Sequence, residues 1–202
     1  RIAQKLYPNA EIKVAGFETT DRRDFYDLAV GNVPFGNYKV SDKPYDKLGF
    51  SIHNYFFAKA LDQVRPGGVV AFVTSRYTMD SKNSDARRYM AQRAELLGAI
   101  RLPNDAFKKN AGTEVVSDIL FLQKRDHPIE EGHTMNSYFV AHPEMVLGDT
   151  VEESTAYGMD ITVRPIEGME LSELLKEAVS HIQGTYQAVE LPEADKGKEI
   201  ET

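Results

Sequence analysis

Short continuous apolar runs alternate along the chain with segments in which apolar residues recur every three to four positions. The runs predict β-strands and the periodic segments predict helices. The predicted strands are Glu11–Phe17, Phe25–Val30, Val69–Val73, Leu97–Leu102 and Val115–Leu122. One predicted helix ends at Leu6, and others begin at Ser51 and at Ser84 or Asp85. Strands that alternate with helices in this way indicate an α/β fold with a mostly parallel sheet.

The order of these elements also predicts how the strands pair. Phe25–Val30 and Val69–Val73 enclose one helix, so we expect adjacent parallel strands in a right-handed βαβ unit. Val69–Val73 is continuously apolar and Phe25–Val30 ends in the apolar run Leu28–Val30, which is typical of strands buried on both faces, and Phe25–Val30 is interpreted as the central strand. The last strand is predicted to be antiparallel to its neighbours. Asn32 and Ser75 should then lie at one edge of the sheet, where open α/β folds bind ligands.

A polar, proline-stiffened turn follows the first of these strands. The Asn32 amide oxygen and the Val33 carbonyl can accept the two hydrogens of an aromatic amine, which frees the nitrogen lone pair for attack. Pro34 has a fixed φ and keeps the turn rigid, while Phe35 offers an aromatic face on which a planar ring can stack. The same residues also suit an ordinary turn at a strand end. We expect Asn32 and Phe35 to point into a pocket.

This tetrad resembles the Asn-Pro-Pro-Tyr/Phe motif of amino-group methyltransferases, with Val33 in place of the usual proline. The order that follows it resembles type I modification subunits: a helix, a Pro-Gly-Gly turn at residues 66–68, an apolar strand, an Arg-bearing helix, Leu-Pro-x-x-x-Phe at 102–107, and a last strand that ends in Lys124. Gly31–Lys124 is more similar still to the adenine-specific methylase segment of very large proteins of bacterial plasmids, phages and conjugative elements. In those proteins the methylase is fused to a helicase-like region.

The resemblance implies a Rossmann-like class I methyltransferase sheet and methyl transfer from S-adenosylmethionine to the exocyclic amino group of a flipped adenine in DNA. The turn Asn32–Phe35 would be catalytic. Phe17 and Glu18 would lie near the adenine of the cofactor, and Arg76, just beyond the second parallel strand, would contact the substrate. The implied partners are DNA and the helicase-like region of the same polypeptide.

The segment Gly36–Gly49 mixes cations with aromatic residues, a combination that grips a nucleic-acid backbone and stacks bases. Its members are Tyr38, Lys39, Lys43, Tyr45 and Lys47. We interpret Tyr38 and Lys39 as substrate-binding residues, with a solvated loop as the alternative. His53 and Asn54 are interpreted as capping or surface groups, since the five histidines show no metal-ligand spacing and no metal is expected.

Charge divides the chain of 202 residues into two parts. Residues 1–125 carry 20 Lys and Arg against 14 Asp and Glu, whereas residues 126–202 carry 4 against 17. Only the first part is therefore suited to a polyanion. We interpret residues 1–125 as a partial catalytic domain and residues 126–202 as an acidic extension. The extension has one amphipathic helix, Leu171–Ile182, expected to pack in a core, and a charged tail at residues 191–202 expected to be poorly ordered.

The composition predicts a cellular location, and the tetrad leaves alternative functions open. The chain has no cysteine and no apolar run near the ~20 residues of a membrane span, so we expect a cytoplasmic protein without membrane contact. The same tetrad serves methylation of a protein glutamine or an RNA guanine. A non-catalytic DNA-binding or scaffold module is the alternative from another class.

The sequence also yields a prediction about the cofactor. Class I methyltransferases bind S-adenosylmethionine at a glycine-rich loop after their first strand, and residues 1–202 contain no such loop, so we interpret the chain as an N-terminally truncated domain. We expect the chain alone to bind S-adenosylmethionine weakly or not at all. Calorimetric titration measures this directly, and a micromolar dissociation constant would show that the site is complete.

Overall fold

The computed structural model describes residues 2–108, 112, 114–130, 135, 137–155 and 158–188, so the tail at residues 191–202 lies outside the described part. The helices are α1 (Ile2–Leu6), α2 (Ile52–Gln63), α3 (Tyr77–Asp80), α4 (Asp85–Arg93), α5 (Tyr138–Ala141) and α6 (Leu171–Ser180). The strands are β1 (Tyr26–Asn32), β2 (Val64–Ser75), β3 (Ala94–Leu102), β4 (Ser117–Lys124), β5 (Asp149–Thr155) and β6 (Gly158–Arg164). Single 3-10 turns cover Phe17–Thr19, Asp46–Leu48 and Pro143–Met145.

Four strands form a mixed sheet in the order β1-β2-β4-β3. β1 and β2 are adjacent and parallel, and β4 is antiparallel to both β2 and β3, so both pairing predictions are confirmed. Asn32 pairs with Val73, and Ser75 pairs with Ser117. The ends of β1 and β2 therefore meet at one edge of an α/β sheet, as expected.

The interpretation of Phe25–Val30 as a central, buried strand is wrong. β1 is the edge strand of the sheet, and its side chains are largely exposed, with Val30 70% exposed. The apolar run predicts burial on both faces, but in the described residues β1 pairs only with β2. Its other edge and much of its apolar surface remain open to contact.

Glu11–Phe17 does not form the predicted strand either. Residues 11–16 have no regular structure, and Phe17 begins a 3-10 turn. The Phe17 ring stacks on Phe56 of α2, with 4.7 Å between ring centroids, and meets the edge of Tyr55. Aromatic packing against α2, rather than a strand partner, decides the conformation of this segment.

β2 is longer than predicted because it begins directly after α2 and runs through the Pro-Gly-Gly sequence that was expected to separate them. Gly68 is required there. A Cβ at this position would lie 3.0 Å from the Asp27 carbonyl oxygen, where the register of β1 on β2 shifts. The close approach of the two backbones therefore excludes a side chain.

The sheet separates two apolar clusters, because successive residues of a strand point to opposite faces. On one face Leu120 and Leu122 of β4 pack with Phe57 and Leu61 of α2. On the other face Ile100 and Leu102 of β3 pack with residues beyond position 125: Met145, Leu147 and Ala178. The core role predicted for the amphipathic helix, observed as α6, is thus confirmed. The domain boundary at residue 125 stays a prediction.

The acidic part also contains a β-hairpin that the sequence pattern did not predict. β5 and β6 pair antiparallel, with Gly158 at φ +116° opposite Thr155. Two backbone hydrogen bonds join this part to the end of β3: Leu147 N–H donates to the Arg101 carbonyl at 2.9 Å, and Asn104 N–H donates to the Val163 carbonyl at 2.8 Å. The residues beyond position 125 are therefore attached to the sheet by backbone pairing as well as by apolar packing.

Two leucines provide a matched test of the core. Leu61 is 1% exposed and Leu6 is 66% exposed. We expect Leu61→Ala to lower the free energy of unfolding by about 2–5 kcal/mol, because it leaves a cavity. Leu6→Ala should stay within about 0.5 kcal/mol of the parent. Urea denaturation of the two variants measures the difference, and equal losses would contradict the described burial.

Candidate functional site

The turn Asn32–Phe35 is held by its second residue. The Val33 N–H donates to the Val73 carbonyl at 3.0 Å, which extends the pairing of β1 with β2 by one residue. The Val33 side chain is 4% exposed and belongs to the core cluster under α2. Asn32 and Phe35 are exposed on either side of it. Their predicted placement inside a pocket stays a prediction.

The loop after this turn is anchored by a buried ion pair. Lys59 of α2 lies 2.6 Å from the Asp42 carboxylate, which also accepts a hydrogen bond from the Tyr55 hydroxyl at 2.7 Å. Burial acts to raise the pKa of Asp42, but Lys59 and Tyr55 outweigh it and hold this pKa below its usual value. Lys59 also donates to the Glu18 carbonyl at 3.0 Å. One cation therefore fixes both the loop and the 3-10 turn against α2.

Phe17 and Glu18, the residues predicted to lie near the cofactor's adenine, are half-buried beside α2. The Phe17 ring belongs to the aromatic cluster around Tyr55 and Phe56. The Glu18 carboxylate lies over Gly16, so close that a Cβ there would collide with it. The role of Phe17 and Glu18 toward a cofactor stays a prediction.

The residues of the cationic loop divide into exposed and buried ones. Tyr38 is exposed and lies against Gly36, whose φ is +147°. Three lysines are exposed, and in the described part of the chain none has a carboxylate within 4.0 Å: Lys39, Lys43 and Lys47. Tyr45 is different, because it is 8% exposed and donates to Asp62 at 2.6 Å. Its inclusion among the base-stacking aromatics is therefore wrong, and it packs the loop instead.

Arg76 is engaged by the hairpin of the acidic part. Its guanidinium donates to both carboxylate oxygens of Asp160 at 2.7 Å and to the Ile161 carbonyl, and it lies 5.1 Å from the Tyr77 ring centroid. These residues line a cavity of about 680 Å³. The predicted contact of Arg76 with a substrate stays a prediction, and the structure adds an internal partner for its charge.

A buried ion pair under the same cavity was not predicted from the sequence. Arg101 donates to Asp118 through two nitrogens at 2.8 and 2.9 Å and to Asp80 at 2.8 Å. Burial raises the pKa of Asp118 to about 6, although Arg101 opposes this shift. Arg101 also lies over the Phe139 ring at 4.3 Å. The sequence signal that could have indicated this ion pair is a charged residue inside each of two apolar strands, Arg101 in one and Asp118 in the other.

The first turn of α2 holds two residues whose interpretation needs correction. His53 and Asn54 were interpreted as capping or surface groups, but both are half-buried. His53 Nδ1 and Asn54 Oδ1 are buried and have no hydrogen-bond partner among the described residues. Ser51, the N-cap residue, makes no side-chain cap, and its hydroxyl lies 3.0 Å from His53 Nε2. Hydrophobic periodicity could not predict the burial of His53 and Asn54, because the burial of a polar atom depends on which residues pack over it.

Two other kinds of site were sought in the described residues. They contain no group of three His, Asp or Glu side chains placed to hold a metal ion. They also contain no helix with the length and apolar character that crossing a membrane requires.

Comparison with known sequences finds a much longer relative, of which this chain matches a small part. No protein-family model matches the chain. Defense against restriction protein B of Escherichia phage P1 is 32% identical over 168 residues. The match covers 76% of this chain and 7% of the phage protein. The chain therefore corresponds to a short segment of that relative.

Comparison with solved structures finds partial similarity to methyltransferases. A candidate class I S-adenosylmethionine-dependent methyltransferase from Listeria monocytogenes is 20% identical with a TM-score of 0.41, covering 62% of this chain and 42% of that one. The M protein of the type I restriction enzyme EcoKI is 23% identical with a TM-score of 0.38, covering 50% of this chain and 21% of that one. A chain of a type I restriction-modification system is 13% identical with a TM-score of 0.43, covering 85% and 40%. These similarities cover only parts of the chains compared, and the α/β fold with its mixed sheet rests on the strand pairing described above.

Proposed function

We propose that the chain is the amine-binding part of a DNA adenine N-6 methyltransferase. One observation carries this proposal: the turn Asn32–Phe35 stands at the carboxyl end of a parallel strand, with Val33 fixed in the core and Asn32 and Phe35 directed outward. Ligands of open α/β sheets bind at this edge. A rigid turn that presents one amide and one aromatic ring suits a planar amine.

The turn supplies the groups that such an amine needs. The Asn32 side-chain oxygen and the Val33 carbonyl accept the two N6 hydrogens and draw the nitrogen toward tetrahedral geometry. The nitrogen lone pair would then be free to accept the methyl group that a bound S-adenosylmethionine would supply, and one N6 proton would be released to solvent. Phe35 stacks on the flipped base and limits its orientation. Because the turn is held by Val33, little reorganisation is required before the reaction.

The methyl donor in this proposal is S-adenosylmethionine. Phe17 and Glu18, both half-buried in the 3-10 turn beside α2, would hold its adenosine side. The exposed apolar surface of β1 supports pairing with a further strand, which would extend the sheet on the side of Asn32. The cofactor site would then be shared between this chain and that neighbouring strand.

The exposed lysines of the cationic loop support DNA as the partner. Lys39, Lys43 and Lys47 lie on the segment that follows the turn, and none of them forms an ion pair with a described carboxylate within 4.0 Å. Lysines without internal partners bind phosphates by releasing counterions. We propose that this loop holds the DNA backbone while Asn32 and Phe35 hold the flipped base.

The phage relative supports a place for this activity in restriction and modification, because its name refers to defence against restriction. Since the chain spans 7% of that protein, the role of any longer polypeptide is part of the proposal. We propose that a helicase-like region of the same polypeptide is the second partner.

Replacement of Asn32 tests the chemical role of the turn. In the complete protein, we expect Asn32→Ala to slow single-turnover methyl transfer by raising its activation free energy by about 2.7–4 kcal/mol. This is the effect of losing a preorganised transition-state hydrogen bond. Phe35→Ala should instead weaken binding of the flipped base by roughly 1–3 kcal/mol, because a stacking surface is lost. Rapid-quench kinetics with tritiated cofactor separate the two effects. A normal rate for Asn32→Ala would favour the scaffold alternative.

Salt dependence tests the lysine loop. For duplex DNA, each phosphate contact contributes about 0.9 to the slope of log K against log salt concentration. We therefore expect the slope of the variant with alanine at positions 39, 43 and 47 to be shallower by roughly three such contributions. Fluorescence anisotropy with a labelled duplex at several salt concentrations measures the slope. Alanine at Lys5, Lys13 and Lys176 is the matched control, with an unchanged slope expected. Equal losses in both variants would show non-specific attraction by net charge.

A further inference from the structure

The larger cavity at the edge of the sheet has more arginines than carboxylates in its lining. Its volume is about 680 Å³, and three guanidinium groups line it: Arg76, Arg87 and Arg101. The carboxylates of the lining are Asp80 and Asp160. A guanidinium binds anions that have several oxygen atoms through its parallel N–H donors. The chemistry of the cavity therefore suits an oxygen-rich anion.

The three arginines are held by different parts of the chain. Arg101 is hydrogen-bonded to two carboxylates, one of them fully buried. Arg87 is buried and donates to two backbone carbonyls of the segment around α3. Among the described residues, the single carboxylate within 4.0 Å of Arg76 is that of Asp160, on the hairpin formed by β5 and β6. The charge of Arg76 is therefore met by an element outside the four-stranded sheet.

The hairpin surrounds the Arg76 guanidinium with oxygen atoms. Nη2 lies 2.7 Å from both carboxylate oxygens of Asp160, and Nη1 donates to the Ile161 carbonyl. Hydrogen bonding to Arg76 holds the pKa of Asp160 below its usual value, so this carboxylate is charged at neutral pH. A phosphate presents the same kind of charged acceptor with several oxygen atoms. Asp160 thus occupies the guanidinium as a phosphate would.

The tip of the hairpin is exposed, whereas its base is anchored. The Asp160 side chain is 50% exposed, and Ile161 is also exposed. Near the end of β6, Val163 is buried and its carbonyl accepts a hydrogen bond from the Asn104 N–H. In the described part of the chain, β5 and β6 form a separate two-stranded sheet. A partly exposed ion pair contributes little to stability, so an external anion can compete for Arg76.

The charge of the hairpin opposes a polyanion at this edge. Its two strands carry four carboxylates and one arginine. Arg76 lies three residues beyond Val73, the partner of Asn32 in the sheet. Like charges repel, and the repulsion is strongest at short range. The hairpin therefore covers a cation at the edge where the proposed function places DNA.

We propose that Arg76 in this cavity is a phosphate site for DNA, and that the hairpin occupies the site with Asp160 when DNA is absent. The inference rests on the proposed function, since it takes DNA as the partner, and it adds regulation by the acidic part of the chain. A DNA phosphate takes the place of the Asp160 carboxylate on the guanidinium. Binding must first break the internal ion pair, so the hairpin lowers the affinity for DNA.

A double-mutant cycle on duplex binding tests this proposal. We expect Asp160→Asn to bind a labelled duplex about two- to fivefold more tightly than the parent chain, because a partly exposed ion pair no longer has to be broken. Arg76→Ala should bind more weakly, and Asp160→Asn added to it should bring no gain. Asparagine keeps an acceptor for the Ile161 N–H, which preserves the local hydrogen bond. Fluorescence anisotropy at one salt concentration measures all four affinities.

Glu152→Gln is the matched control, because it removes one negative charge from β5, the neighbouring strand of the hairpin. Glu152 is exposed and forms no ion pair with a described residue. Its replacement should change the affinity less than Asp160→Asn does. Equal tightening by the two variants, or a gain from Asp160→Asn that persists without Arg76, would show an effect of net charge and overturn the proposal.

The same measurements separate this inference from the proposed function. A parent chain that binds the duplex with unchanged affinity in Asp160→Asn would contradict this inference alone. A parent chain that does not bind the duplex would contradict the proposed DNA partner, and this inference with it.

Side-chain NMR identifies the anion. We expect a saturating duplex to shift the Arg76 Nε–H signal and the Ile161 amide signal, because the contact with Asp160 is lost. Inorganic phosphate at millimolar concentration and matched ionic strength should leave both signals unchanged. A shift caused by inorganic phosphate would assign the cavity to a free phosphate and overturn the assignment to DNA. An unchanged Arg76 signal in the DNA-saturated protein would show that the ion pair is permanent and overturn the proposal.

Discussion

The ladder that joins β1, β2 and β4 determines where every candidate group lies. Because β1 is parallel to β2, the chain leaves both strands at one edge, and because β4 is antiparallel, its first residues lie there too. Asn32, Arg76 and Asp118 are distant in sequence but share this edge of the sheet. Parallel pairing requires a crossover helix, and α2 supplies it. The same helix then provides His53, Asn54 and the Lys59 anchor.

Buried charges restrain the segments that leave this edge. Asp42 and Lys59 attach the lysine loop to α2, and Arg101 and Asp118 join β3 to β4 beneath the larger cavity. Each pair is hydrogen-bonded to a further group, which offsets part of the cost of removing two charges from water. Loss of one partner would leave the other charge buried. These pairs therefore favour one conformation of the loops, while the apolar clusters supply most of the stabilisation.

The acidic part of the chain packs against the four-stranded sheet and is hydrogen-bonded to it. It covers the face of β3 with Met145, Leu147 and Ala178, and its hairpin carries the Asp160 that binds Arg76. Negative charge next to this edge reduces the attraction of nearby cations for a polyanion. The cationic loop lies on the segment after β1, where no described carboxylate lies within 4.0 Å of Lys39, Lys43 or Lys47. The charge asymmetry of the sequence therefore corresponds to different contacts in the structure. Asp160 of the acidic part pairs with Arg76, whereas the lysines of the cationic loop form no ion pair with a described carboxylate.

The sequence alone determined the strands β1 to β4, the helices α2, α4 and α6, the parallel pairing of β1 with β2, and the turn Asn32–Phe35. These depend on hydrophobic periodicity and on turn residues such as Pro34, which act over a few neighbouring positions. Tertiary structure decided burial. It made β1 an edge strand despite its apolar run, drew Phe17 onto α2 instead of into a strand, and buried Tyr45. It also left His53 Nδ1 and Asn54 Oδ1 buried without a hydrogen-bond partner among the described residues. The physical reason is that burial depends on which surfaces meet across the fold, and a periodic pattern does not specify those partners.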